Sequence, residues 1–394
     1  MSKHHQNNGL TNKELVNAVL SLEISSSEKR DSQLLLSAHA HDGKLKVGNS
    51  IYQPGLRLAI FAFLEGVNCE GIREMDYICI DNGTKKRLLS KVLGDCIAIR
   101  TEISDGERFL LLTDKEGFVF KLRTEQEIEK EIKEMISTDF SSIGEERTVI
   151  RIGIKELTEG LSKVSSARGE NNYMDNLFGV FLNSIRKELV ATDRKRMHIF
   201  SLPMQVDGIP DKFLIPGSII KPILLLGKKE DGEIKITLRK DLDRHNRYNL
   251  VELKGNQFQV LFKETVFHEF PNYEEVIPNN SPIKWTVEKE ALKKILDIMY
   301  SFKGADGIVE VTIKKDKTDI SMRPIREEIN KSIPSTLEGC EEFRFGFQLL
   351  YVLDIISSLE EDYVTFEIRD KDKAILVKEK DFKGLFMPWL FDDE

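Results

Sequence analysis

The sequence predicts an α+β fold of three repeated domains, each with two helices on an antiparallel sheet. A helical pattern followed directly by two alternating strand patterns occurs three times, at intervals of about 130 positions. A further amphipathic helix pattern precedes it in each copy. Strands joined by short turns pair antiparallel, and helices on one face of such a sheet give an α+β domain.

The composition indicates a globular chain with room for more than one domain. The chain has 394 residues, 40% of them hydrophobic and 31% charged. Its net charge of -8 argues against a surface that binds nucleic acid everywhere, although a local basic lining remains compatible with it. No apolar run approaches the roughly 20 residues of a membrane helix, so we expect a cytoplasmic protein without a membrane partner.

The first helix pattern lies near residues 10, 152 and 286, and the helix followed by strands begins near residues 84, 217 and 345. Helical spacing is carried by Leu157, Leu161 and Val164, and by Leu292, Leu296 and Met299. Strand alternation is carried by Ile234, Ile236 and Leu238, and by Val364, Phe366 and Ile368.

These repeats predict three domains, at residues 1–146, 147–281 and 282–394. The last two are linked by the aromatic-proline turn FPNYEEV, in which Phe270 and Tyr273 anchor the chain to a domain surface. The charged stretch from residue 123 to 137 is interpreted as a solvated linker or an extra surface helix, with no function assigned.

The sequence offers little support for catalysis, metal binding or cofactor binding. Its cysteines, Cys69, Cys79, Cys96 and Cys340, form no CxxC pair and are expected to be reduced core thiols. Phosphate-loop, dinucleotide and zinc-protease motifs do not occur in the sequence. His39, His41 and Asp42 form a weak metal-site pattern that fits a solvent-facing strand edge better. A hydrolase using His198 or His268 is the remaining catalytic alternative, supported only by nearby carboxylates. We therefore expect no enzyme and no cofactor.

Four local motifs resemble the bacterial β sliding clamp family, the subunit β of DNA polymerase III. They are FPNYEEVIP at 270–278, ELVATDRKRM at 188–197, GFQLLYVLDIISSL at 346–359 and LFMPWLF at 385–391. Residues 1–146 match mainly in pattern, so the sequence is similar to a divergent clamp. The resemblance implies a homodimeric ring, closed head to tail, that encircles duplex DNA without reading its sequence and confers processivity on a replicative polymerase.

The resemblance also implies where DNA and the second subunit bind. DNA-facing candidates are the basic and aromatic residues of the helices and of one loop: Lys85, Lys86, Arg87, Lys91, Lys155, Lys163, Arg168, Tyr173, Lys221, Lys289, Lys293 and Lys294. Without the resemblance, these lysines read as the wet faces of amphipathic helices. Dimer anchors are Phe118, Phe120, Tyr300 and Phe302, with core packing an equal alternative.

In the family an apolar groove takes a short peptide from the polymerase, the clamp loader and other partners. Carried over to this chain, the groove comprises Leu177, Thr192, Arg194, Lys195, Arg196, Met197, Pro271, Glu275, Val276, Tyr351, Ala374, Met387, Pro388, Trp389 and Leu390. Simple closure of a domain interface is the plainer interpretation of Phe270, Pro271, Met387 and Pro388.

This chain departs from the family pattern within that groove. Arg194 and Lys195 stand where Gly and His are usual, Glu275 where Arg is common, and Trp389 with Leu390 where Met-Arg is common. Trp389 fills volume, and the acidic residues 392–394 repel acidic flanks of a ligand, so we expect selectivity for particular peptides. The alternative function is a monomeric clamp-like adaptor that binds proteins without encircling DNA.

Overall fold

The structure is a computed structural model that describes residues 10–21, 32–38, 44–53, 56–70, 78–81, 92–124, 130–137, 147–169, 177–228, 231–243, 246–265, 270–302, 307–322 and 328–391. The chain divides into two compact units. The first unit contains residues 1–159 and 203–268, and the second contains residues 160–202 and 269–394. The predicted three-domain boundaries remain a prediction.

The described helices other than α2 lie where the helical patterns predict them. They are α1 Asn12–Leu20, α2 Lys130–Ser137, α3 Ile154–Val164, α4 Gly217–Leu226, α5 Lys289–Ser301 and α6 Leu349–Ser357. Thr11 caps α1 through a reciprocal pair of hydrogen bonds with Glu14. Within the described residues, no helix is long and apolar enough to cross a membrane.

The strands account for most of the remaining described chain. In the N-terminal part they are β1 Ser32–Ala38, β2 Leu45–Gln53, β3 Leu56–Leu64, β4 Asn68–Glu70, β5 Ile78–Asp81, β6 Cys96–Ser104, β7 Glu107–Asp114 and β8 Val119–Arg123. In the middle they are β9 Arg147–Gly153, β10 Gly179–Asn183, β11 Glu188–Thr192, β12 Arg196–Ser201, β13 Gln205–Gly208, β14 Lys212–Pro216, β15 Glu233–Asp243, β16 Asn246–Lys254 and β17 Phe258–Thr265. In the C-terminal part they are β18 Ile283–Glu288, β19 Ile308–Lys314, β20 Lys317–Met322, β21 Ile329–Glu338, β22 Glu342–Gln348, β23 Tyr363–Ile368, β24 Ile375–Glu379 and β25 Phe382–Phe386.

The first unit contains two sheets. A nine-stranded sheet runs β13-β9-β15-β16-β17-β3-β2-β1-β5, and a four-stranded sheet runs β4-β6-β7-β8. In the second unit the strand order is β10-β11-β12-β25-β24-β23-β18-β21-β20-β19-β22. The described pairs are antiparallel, as predicted, apart from the parallel pair β4 and β6.

The predicted core periodicity is confirmed at the positions named in the second and third copies. Buried positions include Leu157, Leu161, Val164, Ile234, Ile236, Leu238, Leu292, Leu296, Met299, Val364, Phe366 and Ile368. The helix and both predicted strands are present in the second copy, as α4 with β15 and β17, and in the third copy, as α6 with β23 and β24. In the second copy, β16 lies between the two predicted strands and pairs with both. Much of the helix predicted near residue 84 lies outside the described residues.

Helix α2 is the clearest departure from the predicted arrangement of helices on one sheet face. Its Ile132 and Met135 are buried with Phe61 of β3, whereas α1 contacts the other face, where Asn49 Nδ2 donates to Val19 O. Asn49 pairs with Ile60, and neighbouring residues of a strand point to opposite faces. The solvated-linker interpretation is therefore wrong for residues 130–137. Three apolar side chains in eight residues suffice to seat a short helix on a sheet.

The described cysteines are free thiols. Burial raises the pKa of Cys96 to about 11 and confirms it as a core thiol. Cys69 and Cys340 are only half-buried, so the expectation of a core position is wrong for them. The side chain of Cys79, and His39, His41 and Asp42, lie outside the described residues.

Candidate functional site

The second unit contains every residue of the predicted peptide groove. The residues come from the β11–β12 hairpin, the turn that contains Tyr273–Val276, helix α6 and the chain that follows β25. Packing and hydrogen bonds join most of these segments directly, as described below. A site that the sequence distributes over more than 200 positions is thus assembled within one compact unit.

An apolar cluster lies among the predicted groove residues. Buried Val190, Met197, Ile199, Tyr273, Leu376 and Leu385 form it, and Phe181, Phe270, Ile277 and Ala374 pack against it. Phe181 and Phe270 are stacked with their ring centroids 4.3 Å apart. Phe270 and Met197 therefore serve mainly as packing residues, as the plainer interpretation of the aromatic-proline turn expects.

Tyr273 anchors that turn through a buried polar network. Its hydroxyl donates to Glu188 Oε2 at 2.9 Å and accepts from Asn183 Nδ2 at 3.0 Å. Burial, followed by the charge of Glu188, raises the pKa of Tyr273, so the phenol stays protonated. Arg186 bonds both Glu188 and Glu274, which ties the turn to the β10–β11 hairpin. Pro271 and Val276 are exposed on either side of this anchor, and Val276 is 57% exposed.

The guanidinium group of Arg196 is held by contacts within the chain. Its guanidinium donates to Asp193 Oδ2 at 3.0 Å and to Asp354 of α6, and it lies 4.7 Å from the ring centroid of Tyr351. Burial raises the pKa of Asp354, while Arg196 opposes that shift. Arg196 therefore joins β12 to α6 and positions Tyr351.

Two side chains hold the loop between β11 and β12 through hydrogen bonds: Thr192 at the end of β11 and Asp193 directly after it. Thr192 Oγ1 accepts from Arg194 N at 3.1 Å and donates to Arg196 O at 2.7 Å. Asp193 Oδ1 accepts from the backbone N–H groups of Lys195 and Arg196, each at 2.9 Å. Arg194 has φ 75°, a left-handed conformation that favours glycine. The Gly expected there from the family pattern has a clear backbone reason, and this chain places a cation at that position.

Backbone hydrogen bonds hold the chain after β25 to the β11–β12 loop and to β22. Met387 N donates to Lys195 O at 2.8 Å, and Trp389 and Gly346 exchange two backbone hydrogen bonds of 2.7 and 3.0 Å. A Cβ at position 346 would lie 2.7 Å from the tip of the Phe391 ring, so a larger residue there would have to displace that ring. Met387, Trp389 and Leu390 are 44%, 52% and 56% exposed. With Val276 they give the groove residues an exposed apolar surface, typical of a protein-binding site.

The remaining groove residues play smaller parts in this geometry. Leu177 is buried, and its carbonyl accepts from Gly169 N at 2.9 Å. Pro388 is half-buried in the chain between Met387 and Trp389. Glu275 is exposed and accepts from Asn272 Nδ2 at 2.6 Å. Residues 392–394, expected to repel acidic ligands, lie outside the described residues.

The predicted DNA-facing residues divide into paired and unpaired cations. Lys155 pairs with Asp231, and Lys163 pairs with Glu360 at 3.2 Å. Lys289 Nζ donates to the Leu359 and Glu360 carbonyls at 3.3 Å. Lys221, Lys293 and Lys294 have no ion pair with any residue that the structure describes. Arg168 lies 5.7 Å from the Phe178 ring, and Lys85, Lys86, Arg87, Lys91 and Tyr173 lie outside the described residues.

His198 is a buried structural residue. Its side chain is fully buried on β12, and its Nδ1 lies 3.0 Å from Lys163 O. Burial lowers the pKa of His198 to about 4, so the imidazole is neutral at pH 7. It has no surface for a substrate, which removes the structural basis of the hydrolase alternative at this residue; His268 lies outside the described residues. Among the described His, Cys, Asp and Glu side chains, no group of three is placed to hold a metal.

Three of the predicted dimer anchors are exposed. Phe118, Tyr300 and Phe302 are 61%, 43% and 51% exposed, whereas Phe120 is half-buried in β8. Core packing therefore does not account for the first three. Phe118 and Phe120 belong to the first unit, at the edge strand of its four-stranded sheet, and Tyr300 and Phe302 lie at the C-terminal end of α5 in the second unit.

Comparison with known proteins defines the class of fold. The DNA polymerase III β subunit of Thermotoga maritima superimposes with a TM-score of 0.73 at 18% identity, over 97% of both chains. A DNA polymerase sliding clamp from Bacillus subtilis gives 0.73 at 16% identity over 96% of this chain and 97% of that one, and one from Pseudomonas aeruginosa gives 0.71 at 17% identity over the same shares. The chain has the sliding-clamp fold.

The sequence comparison points to the same group of proteins. The β sliding clamp of Haemophilus influenzae is 20% identical over 215 residues, which is 50% of this chain and 54% of that protein. The aligned region thus spans about half the length of that curated relative. No family model matches the chain. The resemblance to the bacterial β sliding clamps that the sequence motifs indicate is confirmed, as a divergent relationship at low identity.

Proposed function

We propose that this protein is a DNA sliding clamp. Two copies close head to tail into a ring that encircles duplex DNA, and the groove of the second unit tethers a replicative polymerase and other peptide-bearing partners. A clamp loader opens the ring. The observation that carries the proposal is the likeness to solved clamps over 97% of the chain. The protein itself performs no catalytic step in this role.

The separation of charge and apolar surface supports this assignment. A clamp that slides needs weak attraction to phosphates without contacts to base edges, and exposed lysines on helices provide that. Lys221 on α4 and Lys294 on α5 are exposed, and Lys293 on α5 is half-buried. The exposed Phe118, Tyr300 and Phe302 supply apolar anchors suited to subunit contacts.

A monomeric adaptor that binds proteins without encircling DNA is the second candidate. It is favoured by one observation: Lys155 and Lys163 are already neutralised by acidic side chains, so the described helices carry few free cations. An adaptor of this kind needs the peptide groove and neither the ring nor the lysines.

Topological retention on DNA distinguishes these candidates. Protein is incubated with linear duplex, the ends are joined by ligation, and the circles are washed at high salt. A ring threaded before ligation stays on the circle and is released when one restriction enzyme cuts it. Equal loss from circular and linear DNA, together with a monomer mass in sedimentation across micromolar dilution, would favour the adaptor.

A further inference from the structure

Arg194 and Lys195 are two neighbouring cations without an assigned partner. Both are exposed, and neither forms an ion pair with any described residue. The next cation along the chain, Arg196, is held by two carboxylates and an aromatic ring. Three consecutive basic residues therefore divide sharply into one that builds the site and two that face outward from it.

The loop that presents these cations is fixed before any ligand arrives. Thr192 and Asp193 accept hydrogen bonds from the N–H groups of Arg194, Lys195 and Arg196. A loop that is already ordered loses little conformational entropy on binding, so little of the favourable interaction of its charges with a ligand is offset. Arg194 also keeps a left-handed φ of 75°, where glycine would be unstrained.

The cations lie next to exposed apolar side chains. Lys195 O accepts from Met387 N at 2.8 Å, which places the loop against the segment containing Met387, Trp389 and Leu390. A phosphate backbone gains little from an apolar neighbour, whereas a peptide with both apolar and acidic residues uses both kinds of contact. Charge complementarity at the described residues therefore favours a peptide with an acidic flank. This is the opposite of the repulsion expected from the acidic residues 392–394, which lie outside the described residues.

We propose that Arg194 and Lys195 select partner peptides in which an acidic residue flanks the apolar anchor. The inference rests on the proposed peptide-binding function of the groove and specifies the chemistry of the peptide. The cations mainly steer and orient the acidic flank, since exposed charges act over a Debye length of about 8 Å at physiological salt.

The chain contains a matched control for this site. Lys187 is also exposed, also has a left-handed φ, of 59°, and also forms no ion pair with a described residue. It precedes β11, whereas Arg194 and Lys195 follow that strand. Lys187→Glu reverses a charge at a residue with the same kind of left-handed backbone conformation. It leaves Arg194 and Lys195 unchanged.

The test uses three synthetic peptides with one Leu-Phe anchor and an Asp-Asp, Ser-Ser or Lys-Lys flank. Fluorescence anisotropy measures their Kd for the wild-type chain, for Arg194→Glu with Lys195→Glu, and for Lys187→Glu. We expect the Asp-Asp peptide to bind about 5-fold to 10-fold more tightly than the Ser-Ser peptide at low salt, and less so at 0.5 M salt. The double variant reverses the preference towards Lys-Lys, and Lys187→Glu leaves it unchanged.

Two results would overturn the proposal while leaving the groove intact. One is that the wild type binds all three peptides equally. The other is that the double variant loses retention on circular DNA with unchanged peptide affinity, which would assign the cations to phosphate. Failure of every peptide to bind would instead remove the peptide-binding function on which the inference rests.

Discussion

The peptide groove and the helices predicted to face DNA are built in opposite ways. In the groove, buried polar groups fix the base and exposed apolar side chains remain at the rim, as with Tyr273 beneath Val276. On the helices, Lys155 and Lys163 form ion pairs with acidic side chains, and Lys289 donates a hydrogen bond to a backbone carbonyl. Under the proposed function, the groove would bind partner peptides tightly and selectively, whereas the helices would hold DNA weakly, which suits a protein that slides.

His198 joins the two regions, because it lies on β12 beside Arg196 and Met197 while its Nδ1 contacts the carbonyl of Lys163. With a folded pKa of about 4 against 6.5 unfolded, the unfolded state binds the extra proton between these values. Stability from this group is therefore complete above pH 6.5 and is lost as the pH falls towards 4.

The largest expected effect follows from that titration. Lowering the pH from 7 to 5 costs the wild type about 2 kcal/mol through His198, and His198→Gln removes this contribution. Urea unfolding of both proteins at each pH measures it, and comparing the pH-dependent changes cancels the variant's own loss of packing. Equal changes in both proteins would show that His198 does not titrate on unfolding.

The two arginines on either side of Lys195 provide the next contrast. Arg196→Ala leaves Asp354 and Asp193 without their cation in a partly buried place, and we expect a loss of about 2 kcal/mol together with weaker peptide binding. Arg194→Ala removes an exposed side chain from a strained position and is expected to change stability by less than about 0.5 kcal/mol. Urea midpoints that move equally for both variants would contradict the division between site-building and outward-facing cations.

A smaller loss is expected at the buried phenol. Tyr273→Phe deprives Glu188 of a hydrogen bond inside the protein and costs about 1–2 kcal/mol. Because Tyr273 fixes the turn that contains Pro271 and Val276, peptide affinity falls as well. Tyr363→Phe, at a 64% exposed tyrosine of the same unit, is the control that we expect to alter neither. Unchanged peptide affinity in the destabilised Tyr273 variant would limit Tyr273 to a folding role.

The smallest expected effect separates the helix lysines. Each phosphate contact contributes about 0.9 to the slope of log K against log salt concentration. Lys293→Gln with Lys294→Gln is expected to reduce the slope by up to about 2, and Lys155→Gln with Lys163→Gln by much less, because their charges are already paired. Equal reductions would show that the pairs open on DNA binding.

The sequence predicts the repeat well because each helix and strand is specified by its own spacing of apolar residues. Leu292, Leu296 and Met299 lie three or four positions apart, and that spacing alone buries them in α5. For residues 130–137 the sequence is compatible with either a linker or a helix. The burial of α2 depends on Phe61 and Leu261, which are far away in the chain.

The sequence supplies a list of candidate groove residues but says little about the contacts that each one makes. The motif TDRKR marks Arg196, and its partner Asp193 is close in sequence, but Asp354 is 158 positions away and no local pattern signals that contact. Likewise nothing near Tyr273 indicates Glu188 or Asn183, 85 and 90 positions away. Long-range pairing of polar groups determines which residues build the groove and which remain free to bind.

The most direct test of the account is to measure peptide binding by protein that is trapped on closed circular DNA. Circles that carry protein after ligation and a high-salt wash are titrated with the labelled Asp-Asp peptide. Separate surfaces for DNA and partners predict the same Kd as for free protein, with one peptide per subunit. Peptide binding only by protein that the circles do not retain would contradict a clamp that tethers its partners while it encircles DNA.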